Sequence, residues 1–116
     1  GKAFTLCESI QELALPDSVT EIKERTFAGC KGLRKIKLPD SLQTIEKYAF
    51  ARCLSLGEIS LPASMQRIGV QAFIGCTSLR LVTLPPKVKI ENNAFDLCKD
   101  VVIQEIQITS DPYSSY

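Results

Sequence analysis

Apolar residues recur along this chain at a single spacing, longer than any helical or strand period. The dipeptide Leu-Pro stands at Leu15-Pro16, Leu38-Pro39, Leu61-Pro62 and Leu84-Pro85, each 23 residues after the last. Phe4, Phe27, Phe50 and Phe73 keep the same step, and so do Cys7, Cys30, Cys53 and Cys76. Further apolar columns are Ile10/Leu33/Leu56/Leu79, Leu13/Ile36/Ile59/Val82, Val19/Leu42/Met65/Val88 and Ile22/Ile45/Ile68. A small residue precedes each Phe: Ala3, Thr26, Ala49, Ala72, then Ala94 before Phe95. Such a fixed period predicts a solenoid, in which each unit is one coil and touches only its neighbours.

The pattern inside a unit predicts its elements. Leu33-Arg34-Lys35-Ile36-Lys37-Leu38 ends in a period of two, which makes a strand with Ile36 and Leu38 inward and Lys35 and Lys37 outward. Pro39 ends that strand, since it has no N–H for a ladder. Ser41-Leu42-Gln43-Thr44-Ile45 reads as a second short extended stretch on the opposite wall. Tyr48-Ala49-Phe50-Ala51-Arg52-Cys53 suits a helical or 3₁₀ turn. One unit offers too little apolar surface, at roughly 1.5–3 kcal/mol per large buried side chain. Ordering its backbone costs roughly 1–2 kcal/mol per residue, so the units must stack to be stable.

The last unit departs from the register. Ile90, Phe95 and Cys98 come one residue early, so a residue is missing after Leu84-Pro85. Beyond Cys98 the pattern returns as Ile103, Ile106 and Ile108; an alternative register puts Val101 in the core column but turns Gln104 inward, and the first is preferred. The solenoid is expected over residues 1–109, about five units with the first partial and the last atypical, followed by a polar tail over 110–116. The chain starts inside a repeat, which favours a piece of a longer array or a domain joined to others.

Composition narrows the function classes. Hydrophobic residues make up 45% and charged residues 23%, as in a folded globular protein. The formal net charge is +1, so no global basic field points to nucleic acid or an anionic membrane. No apolar run approaches the roughly 18–20 residues of a membrane helix, and Gly1-Lys2-Ala3-Phe4 does not open a signal peptide. Neither membrane insertion nor a nucleic-acid partner is therefore expected.

Candidate chemistry changes this picture little. Histidine is absent, which removes the commonest general base and metal ligand. The five cysteines follow the repeat period without a Cys-x-x-Cys pair, so a zinc site is poorly supported. Stacked equivalents roughly 5 Å apart fall inside the Cα range of a disulfide, yet in-register side chains point the same way. Buried apolar thiols in a core column are the expected reading. The Phe column is expected in the core, and no metal, cofactor or catalytic constellation is expected.

With its columns laid out, the unit reads Leu-Pro-x-Ser-Val-x-x-Ile-x-x-x-Ala-Phe-x-x-Cys-x-x-Leu-x-x-Ile-x. This resembles the BspA-type, or Treponema pallidum-type, leucine-rich repeat over residues 3 to 108. The resemblance implies an α/β-type right-handed solenoid with parallel strands on a concave side. It also implies a secreted or surface-attached bacterial or protozoan protein that adheres to host matrix or cell-surface proteins.

On that reading, a binding signal sits on the outward strand positions. These form the columns Gln11/Arg34/Gly57/Arg80/Gln104, Glu12/Lys35/Glu58/Leu81/Glu105 and Ala14/Lys37/Ser60/Thr83/Gln107. Arg34, Lys35, Lys37, Glu58, Arg80 and Leu81 are the candidate partner-binding residues. The basic cluster of Lys31, Arg34, Lys35 and Lys37 is either a solvated patch, partly neutralised by Glu12 and Glu58, or a contact for an acidic partner. Leu81 is either an edge contact or a binding anchor. The runner-up reading is a structural spacer or an accessory domain. An uncapped terminal strand invites pairing, so homodimerisation through the N-terminal repeat is also expected.

Overall fold

The structure is a computed structural model and describes residues 10–105. Among these residues nine short strands alternate between two walls. One wall carries β1 (Glu12–Ala14), β3 (Lys35–Lys37), β5 (Glu58–Ser60), β7 (Leu81–Leu84) and β9 (Val102–Glu105). The other carries β2 (Glu21–Ile22), β4 (Thr44–Ile45), β6 (Arg67–Ile68) and β8 (Lys89–Ile90). All pairing is parallel: β2-β4-β6-β8 form one continuous sheet, while the first wall divides into β1-β3 and β5-β7-β9. Register follows the repeat, with Leu13 opposite Ile36, Ile59 opposite Val82 and Ile45 opposite Ile68. The parallel-strand solenoid is the architecture that the 23-residue period requires.

The apolar columns fill the space between the walls. Leu42, Ile45, Phe50, Cys53, Leu56, Ile68, Phe73, Cys76 and Val82 are fully buried, and no polar or charged residue among the described residues is buried with them. The Phe column forms an offset stack, with ring centroids 5.2 Å apart for Phe27–Phe50, 5.0 Å for Phe50–Phe73 and 5.1 Å for Phe73–Phe95. The stack continues from coil to coil because identical side chains in adjacent coils lie one strand spacing apart.

The expected helical turns are replaced by a ladder of tight turns, and no helix occurs among the described residues. Phe27, Phe50 and Phe73 each donate their backbone N–H to the next coil, at Ala49, Ala72 and Ala94 respectively, over 2.7 Å. The intervening amides bond within the coil, as in Ala49 N–H to Glu46 and Ala51 N–H to Tyr48. An α-helix would commit every N–H to its own segment, and half of them are engaged elsewhere here. Residues at left-handed φ alternate with these bonds: Arg25, Tyr48, Gln71 and Asn93 in one column, Gly29, Arg52, Gly75 and Leu97 in another. The α/β description therefore gives way to a β-solenoid joined by turns.

The C-terminal coil also differs from the sequence reading. β9 pairs with β7 so that Ile103 lies opposite Val82, Gln104 opposite Thr83 and Glu105 opposite Leu84. Ile103 thus takes the second inward column of the strand instead of the Leu79 column, and Gln104 and Glu105 leave the columns assigned to them. Val101 is partly buried against the core, so the strand enters the core earlier than expected. At this end a carboxylate opposite an inward leucine remains in water, because all of β9 is exposed. Phe4, Cys7, Ile106, Ile108, Gln107, the N-terminal edge and the 110–116 tail lie outside the described residues.

Two features of the coils explain their polar columns. Ser41 Oγ donates to the carbonyls of Asp17 and Val19 in the preceding coil, and Ser64 Oγ does the same to Leu42. The last unit has Lys87 in the serine position, at φ 70° after Pro85-Pro86, so its turn changes type where the residue is missing. Gly69 lies so close to the preceding coil that a Cβ there would come 2.7 Å from the Lys47 backbone nitrogen.

Candidate functional site

The outward side chains of β1, β3 and β5 surround a depression of about 770 Å³. Strand pairing places Glu12 beside Lys35 and Ala14 beside Lys37. Across β5 and β7, Glu58 stands beside Leu81 and Ser60 beside Thr83. Lys35, Lys37, Glu58, Arg34 and Arg80 are exposed, and Leu81 is half-buried beside Val102. All six candidate residues therefore share one wall. Arg34, Lys35 and Lys37 cluster on the second rung and Glu58 on the third, while Arg80 stands beside the apolar pair Leu81 and Val102 toward the C-terminal end.

These charges close no ion pair among the described residues. Ion pairs among the described residues are Arg25–Glu24 at 3.7 Å, Arg67–Glu46 at 3.0 Å and Lys89–Glu91 at 3.9 Å. None of them involves Arg34, Lys35, Lys37 or Arg80. Glu12 neighbours Lys35 in register without closing an ion pair, so the neutralisation expected from Glu12 and Glu58 is one of proximity only. By contrast, Arg67 on the opposite wall donates Nη2 to both carboxylate oxygens of Glu46, at 3.1 and 3.0 Å.

This wall is also interrupted. No ladder joins β3 to β5, and at the seam the Gly57 N–H reaches the Arg34 carbonyl at 3.4 Å. The equivalent bonds elsewhere are shorter, with Arg34 N–H to Gln11 at 2.7 Å and Arg80 N–H to Gly57 at 2.8 Å. Gly57 opens a second hollow, of about 830 Å³, bordered by Arg34, Arg80, Ser55 and Ser78. Sequence reasoning placed Gly57 in an outward column without assigning it a role. The available signal was a glycine among the long polar residues Gln11, Arg34 and Arg80.

The cysteine column is structural, with one departure from the expected thiols. Cys53, Cys76 and Cys98 are free, whereas Cys30 is disulfide-bonded. Each free thiol donates Sγ–H over 3.1 Å to a Phe carbonyl in the preceding coil: Cys53 to Phe27, Cys76 to Phe50 and Cys98 to Phe73. The neighbouring Cys53 thiol, together with burial, pushes Cys76 up to about 12, against an opposing contribution from Cys98. Cys98 is raised as well, by Cys76 first and then by burial. Such thiols stay protonated near neutral pH and are poor nucleophiles.

A model of the BspA type leucine rich repeat region matches residues 1–114 in six copies. This chain belongs to the BspA-type leucine-rich repeat family. Among solved structures, the T. pallidum leucine rich repeat protein is 33% identical, with a TM-score of 0.78, over 91% of this chain and 61% of that one. The pneumococcal vaccine antigen PcpA is 26% identical with a TM-score of 0.65, over 83% of this chain and 30% of that one. A leucine rich cell surface protein of Faecalibacterium prausnitzii shares the fold at 22% identity and a TM-score of 0.63, over 92% of this chain and 44% of that one. The BspA-type chain thus spans less than two thirds of the length of each of these proteins. No curated protein matches it.

Proposed function

We propose that this BspA-type domain is a non-catalytic recognition and adhesion module of a secreted or cell-surface protein. It binds a protein partner, such as a host matrix or cell-surface protein, through the wall formed by β1, β3, β5, β7 and β9. The observation that carries the reading is the set of uncommitted cations on that wall. Arg34, Lys35, Lys37 and Arg80 are exposed around hollows, while the opposite wall pairs its Arg67 internally. Charged side chains that the fold leaves unpaired are free to steer and orient a partner.

Size sets the mode of binding. Five strands at roughly 4.8 Å spacing, each three or four residues long, form a face about 20–25 Å by about 10–13 Å, a flat area well below the roughly 800 Å² per partner of a strong protein interface. The module is therefore a weak binder whose avidity comes from repeated or multivalent display. The test is binding of the purified chain to a panel of matrix and cell-surface proteins, beside Arg34→Glu/Lys35→Glu/Lys37→Glu. Loss of binding on charge reversal supports the reading. If nothing binds, even in multivalent display, the domain is a spacer or accessory part of a longer protein.

A further inference from the structure

We propose that the hollow at Gly57 is an anchor site for a single carboxylate, the side chain of a Glu or Asp on an extended segment of the protein partner. This rests on the reading of that wall as a partner-binding face. Gly57 has no conformational reason to be glycine, because the left-handed glycines are Gly29 and Gly75. Nor does packing require it, since a Cβ built there meets nothing within 4 Å. Its one consequence is an opening between the side chains of the neighbouring coils.

Those neighbours are arginines. Consecutive rungs run from Arg34 through Gly57 to Arg80, linked by Gly57 N–H to the Arg34 carbonyl and Arg80 N–H to the Gly57 carbonyl. Two strand spacings put their Cα atoms about 9–10 Å apart, a gap that two guanidinium groups can close from either side on one carboxylate. Both arginines are exposed, and no ion pair within the described residues claims them. The hydroxyls of Ser55 and Ser78 border the same hollow and supply further donors.

The local charge selects the kind of anion. Three cations, Arg34, Lys35 and Arg80, face two carboxylates, Glu58 and Asp100, around the hollow. That balance accepts one negative charge and repels a dense polyanion, because the two acids disfavour further charge as it accumulates. Planar, bidentate recognition by arginine also suits a carboxylate.

The test is an NMR titration of the ¹⁵N-labelled chain with the capped peptide Ser-Gly-Glu-Gly-Ser and its Gln counterpart. The Glu peptide is expected to shift the Gly57 amide and the Arg34 and Arg80 Nε–H signals, and the Gln peptide to leave them in place. Gly57→Gln fills the hollow with the residue that the first coil carries at Gln11. It is expected to weaken Glu-peptide binding by at least about tenfold, the loss of one charge-assisted hydrogen bond, with the rest of the spectrum unchanged. Lys89→Gln, on the other wall, should leave the affinity within about twofold.

Unchanged binding by Gly57→Gln, no shifts with the Glu peptide, or tighter binding of heparin than of the Glu peptide at these signals would each overturn the proposal. The two levels separate cleanly. Partner binding lost on reversal of Arg34, Lys35 and Lys37 but retained in Gly57→Gln removes the anchor site and keeps the face. Peptide shifts at Gly57, with no protein partner found, keep the anchor site and remove the protein-binding role.

Discussion

Removing one ring from the phenylalanine stack should cost most at its middle. Phe50 is fully buried, with Phe27 and Phe73 rings 5.2 and 5.0 Å away. Phe50→Ala loses roughly 2–3 kcal/mol of transfer free energy and two ring contacts of about 0.5–1.5 kcal/mol each. The total is about 3–6 kcal/mol, overlapping the roughly 3–5 kcal/mol of fully buried aromatic truncations. Phe95 is half-buried and has one described ring neighbour, Phe73 at 5.1 Å, so Phe95→Ala should cost roughly half as much. Urea unfolding followed by far-UV circular dichroism measures both. With a slope of about 1–2 kcal/mol per molar, Phe50→Ala lowers the midpoint by about 2 M or more, and Phe95→Ala by about 1 M. An equal or larger loss for Phe95→Ala would refute a core that is tightest in the middle coils and loosens toward Ile90, Val102 and Ile103.

Four further perturbations test other parts of the fold. Cys76 has a folded-state pKa of about 12 against an ordinary 9.0. The unfolded chain therefore releases this proton first, so stability is fully present below pH 9 and falls as pH rises toward 12. The slope is about 1.4 kcal/mol per pH unit for this thiol; Cys76→Ala should show a shallower alkaline loss in unfolding titrations. Arg52, at φ 60°, occupies a slot that Gly29 and Gly75 fill elsewhere, so Arg52→Gly should stabilise by up to about 1 kcal/mol in the same assay. Gly69→Ala must displace the Lys47 backbone and should destabilise by about 1–3 kcal/mol. At the seam, Leu38 lacks the ladder bond that its counterpart Leu61 makes to Thr83 at 2.8 Å. Its amide should exchange with deuterium about five- to tenfold faster, the equivalent of one hydrogen bond.

Much of the fold was legible in the sequence because the period fixes what touches what. Ile36, Ile59 and Val82 had to align once Leu38, Leu61 and Leu84 did, and the Phe and Cys columns followed. The turns were not legible, since the close Ala/Phe/Cys spacing of Tyr48–Cys53 fits a helix as well as a ladder. What decides between them is bonding to the next coil, which local spacing does not encode. The register of β9 failed for a related reason. In a terminal strand a polar residue can sit at an inward position at little cost, so the apolar pattern around Ile103 no longer fixes the pairing. The candidate face was legible at the level of columns, from the alternation around Ile36. The seam between β3 and β5 and the opening at Gly57 were not, because both depend on an omitted side chain and a missing ladder bond.

The most direct test of the partner-binding wall compares the two walls of the same molecule. The chain, displayed multivalently, is assayed for binding to matrix and cell-surface proteins beside two triple variants. One carries Arg34→Glu, Lys35→Glu and Lys37→Glu; the other carries Lys23→Glu, Lys47→Glu and Lys89→Glu, the same change in charge placed away from the candidate face. Binding lost in the first variant and retained in the second is the expected result. Equal loss in both, or loss only in the second, would contradict a binding site on the wall of β1, β3, β5, β7 and β9.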